Sequence, residues 1–247
     1  MHSHPLKLVN TLVFYASCIL LVTSCWQRNE FPAEMQLSEG ILEEPGQRKA
    51  DESRFTASLN GVDYSIVPRY HYDLTGLVVS YEHHDGNYSL HRLWNDHINV
   101  ADVCVVWGHN AAEIDLNRFD FWNGEFTCNF HTRDSADWER FRLDQIANNH
   151  LLAADPYLRK QIKKLRIGDQ IHIRGWLADY SNDQGFSRGT SITREDRGNG
   201  ACETIYVNGF SIIKPMDNGW RTLLGIALLG VIASSLLWFI AVARGVF

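Results

Sequence analysis

The sequence predicts an α+β fold that is mainly β with inserted helices and lies between two transmembrane helices. Two apolar stretches predict the membrane helices: Leu6–Trp26 carries one charge, Lys7, and Thr222–Ala243 carries none. At about 1.5 Å of rise per residue, either stretch can cross a hydrocarbon core of roughly 30 Å. The mainly β middle is predicted by short runs of alternating apolar and polar residues that are separated by turn residues. We therefore expect one folded domain with a membrane helix at each end.

The first apolar stretch has two interpretations, and both export the middle of the chain. Residues 1–26 can be an uncleaved signal anchor. They can also be a lipoprotein signal, because Val22-Thr23-Ser24-Cys25 resembles a bacterial lipobox and would make Cys25 the lipidated first residue. The apolar run is longer than the roughly 7–15 residues of a usual cleaved signal. A second membrane helix would also make the lipid redundant, so the anchor is preferred.

Charge placement predicts the orientation in the membrane. Lys7 and the amino terminus favour a cytoplasmic N-terminus, while Arg221 and Arg244 nearly cancel across the second helix, residues 221–244. With two spans, both ends would be cytoplasmic and the residues between them would lie in a bacterial periplasm. If the domain faced the cytoplasm instead, its thiols would be reduced and a nucleic-acid role would regain weight.

The segment 27–65 is expected to be an acidic flexible tether, because its acids, Pro, Gly and Ser show no sustained periodicity up to about Arg54. Residues 27–220 hold all 29 acidic residues but 20 of the 23 basic ones, a net charge of −9. Nucleic-acid binding depends on neutralising phosphates. The balance therefore makes a nucleic-acid partner unlikely.

Three strands are expected in the first half of the folded domain, residues 66–216. The first is centred on Leu77–Val79, and the second is the β-branched run 102–108. The third is 125–132, where apolar and polar residues alternate. A change to helical spacing then predicts a helix over 135–149.

A second short helix, a long strand and a closing strand are expected in the rest of the domain. Asp155-Pro156 is a typical helix start, with Asp as the cap and Pro at the first position. The stretch Leu165–Ser181, LRIGDQIHIRGWLADYS, alternates as a half-buried strand does, and Gly175 within it indicates a bulge or a bend. A Gly/Ser/Asp-rich loop follows at 181–201, and the closing strand is 203–214.

The resulting order is strand, strand, strand, helix, strand, strand. With Leu165–Gly175 as the fourth strand and 203–214 as the fifth, it resembles the OB-fold, a five-stranded barrel. The resemblance covers about residues 70–214 and implies an OB-like barrel in the extracytoplasmic domain. It also implies a ligand face, since OB-folds bind oligonucleotides and oligosaccharides. We expect Trp107, Arg174 and Trp176 near that face.

Three of the five cysteines, Cys104, Cys128 and Cys202, lie in the domain. Outside the cytoplasm, one disulfide and one remaining thiol are expected. In an OB barrel the third and fifth strands are neighbours, so the resemblance implies a Cys128–Cys202 disulfide. Cys104, flanked by valines, is expected in the core. The alternative is three buried free thiols.

Four histidines, His83, His84, His91 and His97, cluster in or beside the stretch 84–101, which is expected to be an exposed loop. Histidine and nearby carboxylate ligands would suit zinc or copper. No pair has a recognised ligand spacing, so we expect surface histidines that titrate near neutral pH. The metal set is the alternative, and no cofactor is expected.

The sequence assigns no catalytic residues, because it has no nucleophile elbow, phosphate loop, HExxH or Ser/His/Asp spacing. We expect a non-catalytic binding or assembly module, held by the bacterial inner membrane and displayed in the periplasm. Its partner would be an envelope protein or a saccharide. The alternatives are an envelope hydrolase with a histidine-rich metal site, and a cytoplasm-facing OB domain that binds nucleic acid.

Overall fold

The computed structural model describes residues 4–84, 89–124, 126–193 and 202–246. The fold is mixed α+β, mostly sheet with several helices, and has an apolar helix near each end. The chain divides into two compact units. One consists of Met1–Glu34 and Asp217–Phe247, and the other is Met35–Met216.

The second unit contains all of the strands that the structure describes. In chain order they are β1 Gly46–Lys49, β2 Phe55–Leu59, β3 Val62–His83, β4 Asn99–Val106, β5 Phe119–Gly124, β6 Thr127–Thr132, β7 Ile146–Leu152, β8 Gln170–Asn182, β9 Ser187–Arg188 and β10 Glu203–Lys214. The helices are α1 His4–Gln27, α2 Ser89–Leu93, α3 Gly108–Ala112, α4 Ser135–Arg140, α5 Pro156–Ile162 and α6 Gly219–Ala243. Short 3₁₀ turns lie at Glu39–Leu42, Leu116–Arg118 and Leu143–Gln145.

Five strands form a closed path of pairings. β3 pairs with β4, β4 with β7, β7 with β10, β10 with β8, and β8 returns to β3. The β7–β10 pairing is parallel and the other four are antiparallel. β1 and β2 extend the sheet from β3, and β9 extends it from β8. The β5–β6 hairpin is a separate two-stranded sheet.

The core lies where the alternating strands turn their apolar residues to one side. β4 is buried along its whole length. In β8, Ile171, Ile173 and Leu177 are buried, as the alternation predicts, and Arg174 is exposed. At Gly175 the carbonyl oxygen of Tyr206 would lie 2.2 Å from an added Cβ. The glycine therefore permits the close approach of β10, which carries its own irregularity directly opposite.

The helix predicted for residues 135–149 is wrong beyond Arg140. A short helix, a 3₁₀ turn and then β7 occupy this stretch. β7 pairs with β4 on one side and β10 on the other, and those backbone hydrogen bonds outweigh the local helical spacing. β7 is thus the third strand of the closed path, and the strand predicted at 125–132 belongs to the β5–β6 hairpin.

The segment expected to be a tether, residues 27–65, contributes fixed structure to the domain. It contains the first 3₁₀ turn, β1, β2 and the start of β3. Ile41 is fully buried, and the hydroxyl of Ser38 donates to Oε1 of Gln170 at 2.8 Å. β1 is too short to show an alternation, and both β1 and β2 pair with the long β3.

The two apolar helices pack against each other within the first unit. Pro5–Gln27 and Gly219–Ala243 are long and apolar enough to span a membrane. Their backbones approach closely at Gly230, where an added Cβ would lie 2.3 Å from Oγ of Ser17. The side chain of Asn10 donates to the carbonyl oxygen of Ser234 at 3.1 Å. Cys25 lies in the last turn of α1 and is exposed.

Candidate functional site

Five ionisable side chains form a buried group that we call the histidine–aspartate cluster. Its members are His84, His91, Asp96, Asp102 and His150. Sheet register explains how the last two meet, because Asp102 of β4 and His150 of β7 are direct cross-strand partners. His84 is placed at the end of β3 by its backbone N–H, which donates to the carbonyl oxygen of Val100 at 2.8 Å.

Asp102 is the centre of the cluster and is fully buried. Its Oδ1 lies 2.6 Å from Nδ1 of His150 and 3.2 Å from Nε2 of His84, and accepts a hydrogen bond from Asn99 at 3.1 Å. Burial alone would raise the pKa of Asp102. The interactions with His150, and after them those with His84, outweigh burial and hold that pKa well below its usual range. Asp102 is therefore ionised.

His84 shows the reciprocal effect. Burial disfavours its charged form, but the hydrogen bond and the charge of Asp102 outweigh burial and raise the pKa of His84. The ring of His84 also stacks on that of His91, with 3.9 Å between the ring centroids. This stacking links Asp102 to the second carboxylate of the cluster.

Asp96 has its own pair of partners. Its Oδ2 lies 2.9 Å from Nδ1 of His91 and accepts a hydrogen bond from the hydroxyl of Tyr180 at 2.9 Å. Burial, followed by the charge of Asp96, raises the pKa of Tyr180 well above its ordinary value. Tyr180 is therefore a stable proton donor to the carboxylate.

Arg188 joins the cluster to the surface. Its Nη2 lies 2.7 Å from Nε2 of His150. A guanidinium can only donate, so Nε2 accepts, and the proton of a neutral His150 is on Nδ1, which donates to Asp102. The guanidinium carbon lies 4.3 Å from the centre of the Phe126 ring, a cation–π contact. The guanidinium of Arg188 is thus held by a hydrogen bond at its edge and by an aromatic ring on its face.

A pocket of about 730 Å³ opens beside Arg188. It is formed by the connection between β3 and β4 and by the connection between β8 and β10. The described residues that line it are Leu93, Trp94, Gln184, Gly185, Phe186, Ser187, Arg188, Gly189, Thr190 and Cys202. The ring of Trp94 stacks between those of Phe186 and Phe126, at centroid distances of 5.1 and 5.7 Å. The pocket therefore combines an aromatic wall with a cation.

The thiol of Cys202 lines the same pocket. Its Sγ accepts from Nδ2 of Asn148 at 3.6 Å and donates to the carbonyl oxygen of Phe126 at 3.5 Å. Burial raises the pKa of Cys202. The thiolate is the reactive form of cysteine, so this environment favours an inert, protonated thiol.

The predicted disulfide between Cys128 and Cys202 is wrong in this structure, which pairs Cys104 with Cys128 at a Cα–Cα distance of 5.6 Å. The prediction placed 125–132 as a neighbour of the closing strand, a position that β7 holds. The hairpin instead packs beside β4 and brings Cys128 to Cys104. Cys202 remains a free thiol.

The three residues expected at a ligand face are not brought together. The prediction that Trp107 lies near a ligand face does not fit its position, because Trp107 is 1% exposed and packs in the core. Arg174 and Trp176 share the outward row of β8, outside the 730 Å³ pocket. Trp176 packs edge-on against Phe55, and Arg174 borders two smaller depressions of about 380 and 460 Å³.

The four histidines of the alternative metal set do not converge. His83 points away from the cluster, with Nε2 3.3 Å from the carbonyl oxygen of Ile162. His97 is half-buried and its backbone N–H donates to the hydroxyl of Tyr64. His84 and His91 are buried, so the expectation of surface histidines is wrong for these two. His84 meets Asp102 and His91 meets Asp96, and no spacing along the sequence indicates these contacts.

One further group of possible metal ligands lies on the surface of the described residues. Ligand atoms of Asp51, Glu52 and His71 all lie within 4.8 Å of one another. The two carboxylates are exposed, and such groups are common without an ion. This group carries no functional assignment.

Comparison of the chain with protein-family models, with curated proteins and with solved structures finds no match. An aromatic wall, a fixed guanidinium and a neutral histidine behind it can bind a ligand. Among the described residues, Arg188 lies between His150 and the pocket, and no imidazole of the cluster lines the pocket.

Proposed function

We propose that this protein is a membrane-anchored, non-catalytic binding module that takes a saccharide ligand in the 730 Å³ pocket. The observation that carries the proposal is the position of the pocket between two connections, β3–β4 and β8–β10. Both connections bring aromatic side chains to it, Trp94 from one and Phe186 from the other.

The finer architecture that we propose is an OB-like barrel. Three features support it: the closed five-strand order, the parallel β7–β10 pair, and a helix, α5, between β7 and β8, which are the third and fourth of the five strands in chain order. OB-folds bind their ligands with the loop between strands one and two and the loop between strands four and five. In this chain those loops are the two connections that form the pocket.

The lining of the pocket favours a saccharide among the possible partners. Ligand pockets combine apolar and aromatic walls with a few placed polar groups. Trp94 and Phe186 supply the aromatic part here, and Ser187, Arg188 and Thr190 supply polar groups for hydroxyls. The net charge of −9 over residues 27–220 disfavours nucleic acid. An envelope protein that inserts a side chain into the pocket is the competing partner, and the test below separates the two.

The proposed location is the bacterial inner membrane, with two spans and the domain in the periplasm. Two apolar helices support the anchoring. The Cys104–Cys128 pair supports an oxidising compartment, since structural disulfides are rare in the cytosol. Protease digestion of intact cells, spheroplasts and lysed membranes tests the orientation: cleavage in spheroplasts supports it, and protection until lysis overturns it.

Binding is tested with the purified full-length chain in detergent against a panel of bacterial envelope oligosaccharides. We expect at least one oligosaccharide to bind, and Trp94→Ala to weaken its binding at least tenfold. The control is Trp138→Ala, because Trp138 is an exposed tryptophan that lies on α4 outside the pocket. If no oligosaccharide binds, or if both variants bind as the wild type does, the proposal is wrong. An envelope protein cross-linked specifically through position 94 would then replace it.

A further inference from the structure

We infer that the pocket selects an anionic saccharide, whose carboxylate or phosphate is bound by Arg188. The inference rests on the proposed function and adds the chemical class of the ligand. It begins from the way in which Arg188 is held. One guanidinium N–H is used on Nε2 of His150, 2.7 Å away, and the face of the group rests on Phe126.

The charge of Arg188 is not neutralised directly by a carboxylate among the described residues. The arginine ion pairs in that part of the chain belong to Arg69, Arg118 and Arg142. The nearest polar partner of Arg188 is the neutral imidazole of His150. Asp102, behind His150, is shared with His84. The pocket wall therefore presents a cation whose immediate hydrogen-bond partner is uncharged.

A guanidinium fixed in this way suits an oxyanion. It has five N–H donors in a planar fork, which matches the geometry of a carboxylate or a phosphate. Because His150 and Phe126 already fix the side chain, binding costs less of the conformational entropy that a free arginine would lose. The glycines at 185 and 189 leave the pocket wall beside it free of Cβ bulk.

His150 and Asp102 are positioning residues in this arrangement. Asp102 accepts a hydrogen bond from Nδ1–H of His150, which leaves Nε2 as an acceptor for Arg188. Without Asp102, the imidazole could turn or carry its proton on Nε2 and would no longer hold the guanidinium. The buried part of the cluster thus supports Arg188, the only cation among the described residues that line the pocket.

The test compares charged probes with their neutral counterparts on the full-length chain in detergent. The probes are tetragalacturonate against galactotetraose, and maltotetraose phosphate against maltotetraose, by isothermal titration calorimetry. We expect one anionic probe to bind at least tenfold more tightly than its neutral counterpart, with an affinity that falls as NaCl is raised. The carboxylate and phosphate pairs show which oxyanion is preferred.

Arg188→Gln should abolish the preference, and Phe126→Leu should weaken the anionic probe a few-fold. Arg174→Gln is the control, because Arg174 is an exposed arginine outside this pocket. Equal binding of charged and neutral probes by the wild type overturns the inference and leaves the proposed function standing. Binding of none of the four probes, while the oligosaccharide panel gives a Trp94-dependent ligand without an acidic group, also overturns the inference alone. An empty panel overturns both.

Discussion

Oδ1 of Asp102 and Nδ1 of His150 lie 2.6 Å apart, and neither side chain is exposed to solvent. The two residues are cross-strand partners in β4 and β7. The contact therefore couples the central sheet to the pocket, because the other nitrogen of His150 meets Arg188. The contribution of this contact to the free energy of unfolding can be measured.

Asp102→Asn should lower the free energy of unfolding by about 3–5 kcal/mol, as expected when one partner of a buried ionic group is removed. The loss leaves His84 and His150 without their charged acceptor. Urea unfolding of the purified chain in detergent measures the effect. Asp144→Asn is the control, since Asp144 makes an exposed pair with Arg142 worth about 0–1 kcal/mol. Equal losses in the two variants would contradict the structure.

The raised pKa of His84 predicts a pH-dependent contribution to stability. A group whose pKa is higher in the folded state stabilises that state fully below its unfolded pKa, near 6.5, and loses the contribution as the pH rises through its folded pKa. The difference in unfolding free energy between the wild type and His84→Gln should therefore be greatest in mildly acidic solution and shrink as the pH rises. In an Asp102→Asn background this pH dependence should disappear. If it persists there, Asp102 is not its cause.

The Cys104–Cys128 disulfide predicts the number of free thiols. Maleimide–polyethylene glycol should label three cysteines in the denatured, unreduced chain, Cys18, Cys25 and Cys202, and five after reduction. Cys202→Ser should lower both counts by one. Cys104→Ser should keep the reduced and unreduced counts equal and lower stability by about 2–4 kcal/mol. If the Cys202→Ser chain showed four thiols both before and after reduction, Cys104 and Cys128 would be unpaired. The disulfide predicted from the sequence, Cys128–Cys202, would then be the correct one.

The same labelling tests the lipoprotein alternative. Cleavage before Cys25 would remove Cys18, and acylation would block Cys25. The mature, unreduced chain would then take a single label, at Cys202. Three labels support the signal anchor.

The contact between the apolar helices predicts that a large side chain disturbs their packing at one glycine of the second helix and not at another. Gly230→Ile should separate the helices, because an added Cβ at this position would already lie 2.3 Å from Oγ of Ser17. Gly225→Ile is the matched control, since no heavy atom lies within 4 Å of a Cβ there. Oxidative cross-linking of a cysteine pair at positions 10 and 234, with the native cysteines replaced, reports the packing. A similar cross-linking yield in both variants would rule out this helix contact.

The elements that the sequence predicted well are those whose pattern is local. β8 was predicted from its alternation, and the closing strand, β10, matches its predicted bounds at Glu203–Lys214. Helix α5 was found from its cap: Oδ1 of Asp155 accepts a hydrogen bond from the N–H of Leu158 at 2.9 Å, with Pro156 at the first position. Each signal lies within a few residues along the chain.

The elements that the sequence missed depend on distant partners. β7 contains Asn148, Asn149 and His150, polar residues that suggest the end of a helix. They are tolerated in the buried sheet because cross-strand groups hydrogen-bond to them; Nδ2 of Asn149, for example, donates to the carbonyl oxygen of Val103 at 3.2 Å. The site was missed for the same reason, since His150 and Arg188 meet only after β8 and β10 have formed. No spacing along the chain joins them.

The closed strand path also sets the order in which the protein can be completed during synthesis. β10 enters between β7 and β8, so these two strands keep open edges until residues 203–214 have emerged from the ribosome. The closing strand ends at Lys214, and the second apolar helix begins shortly afterwards at Gly219. The unpaired edges of β7 and β8 are therefore exposed to aggregation until the last strand has been made, and the second apolar helix follows almost immediately.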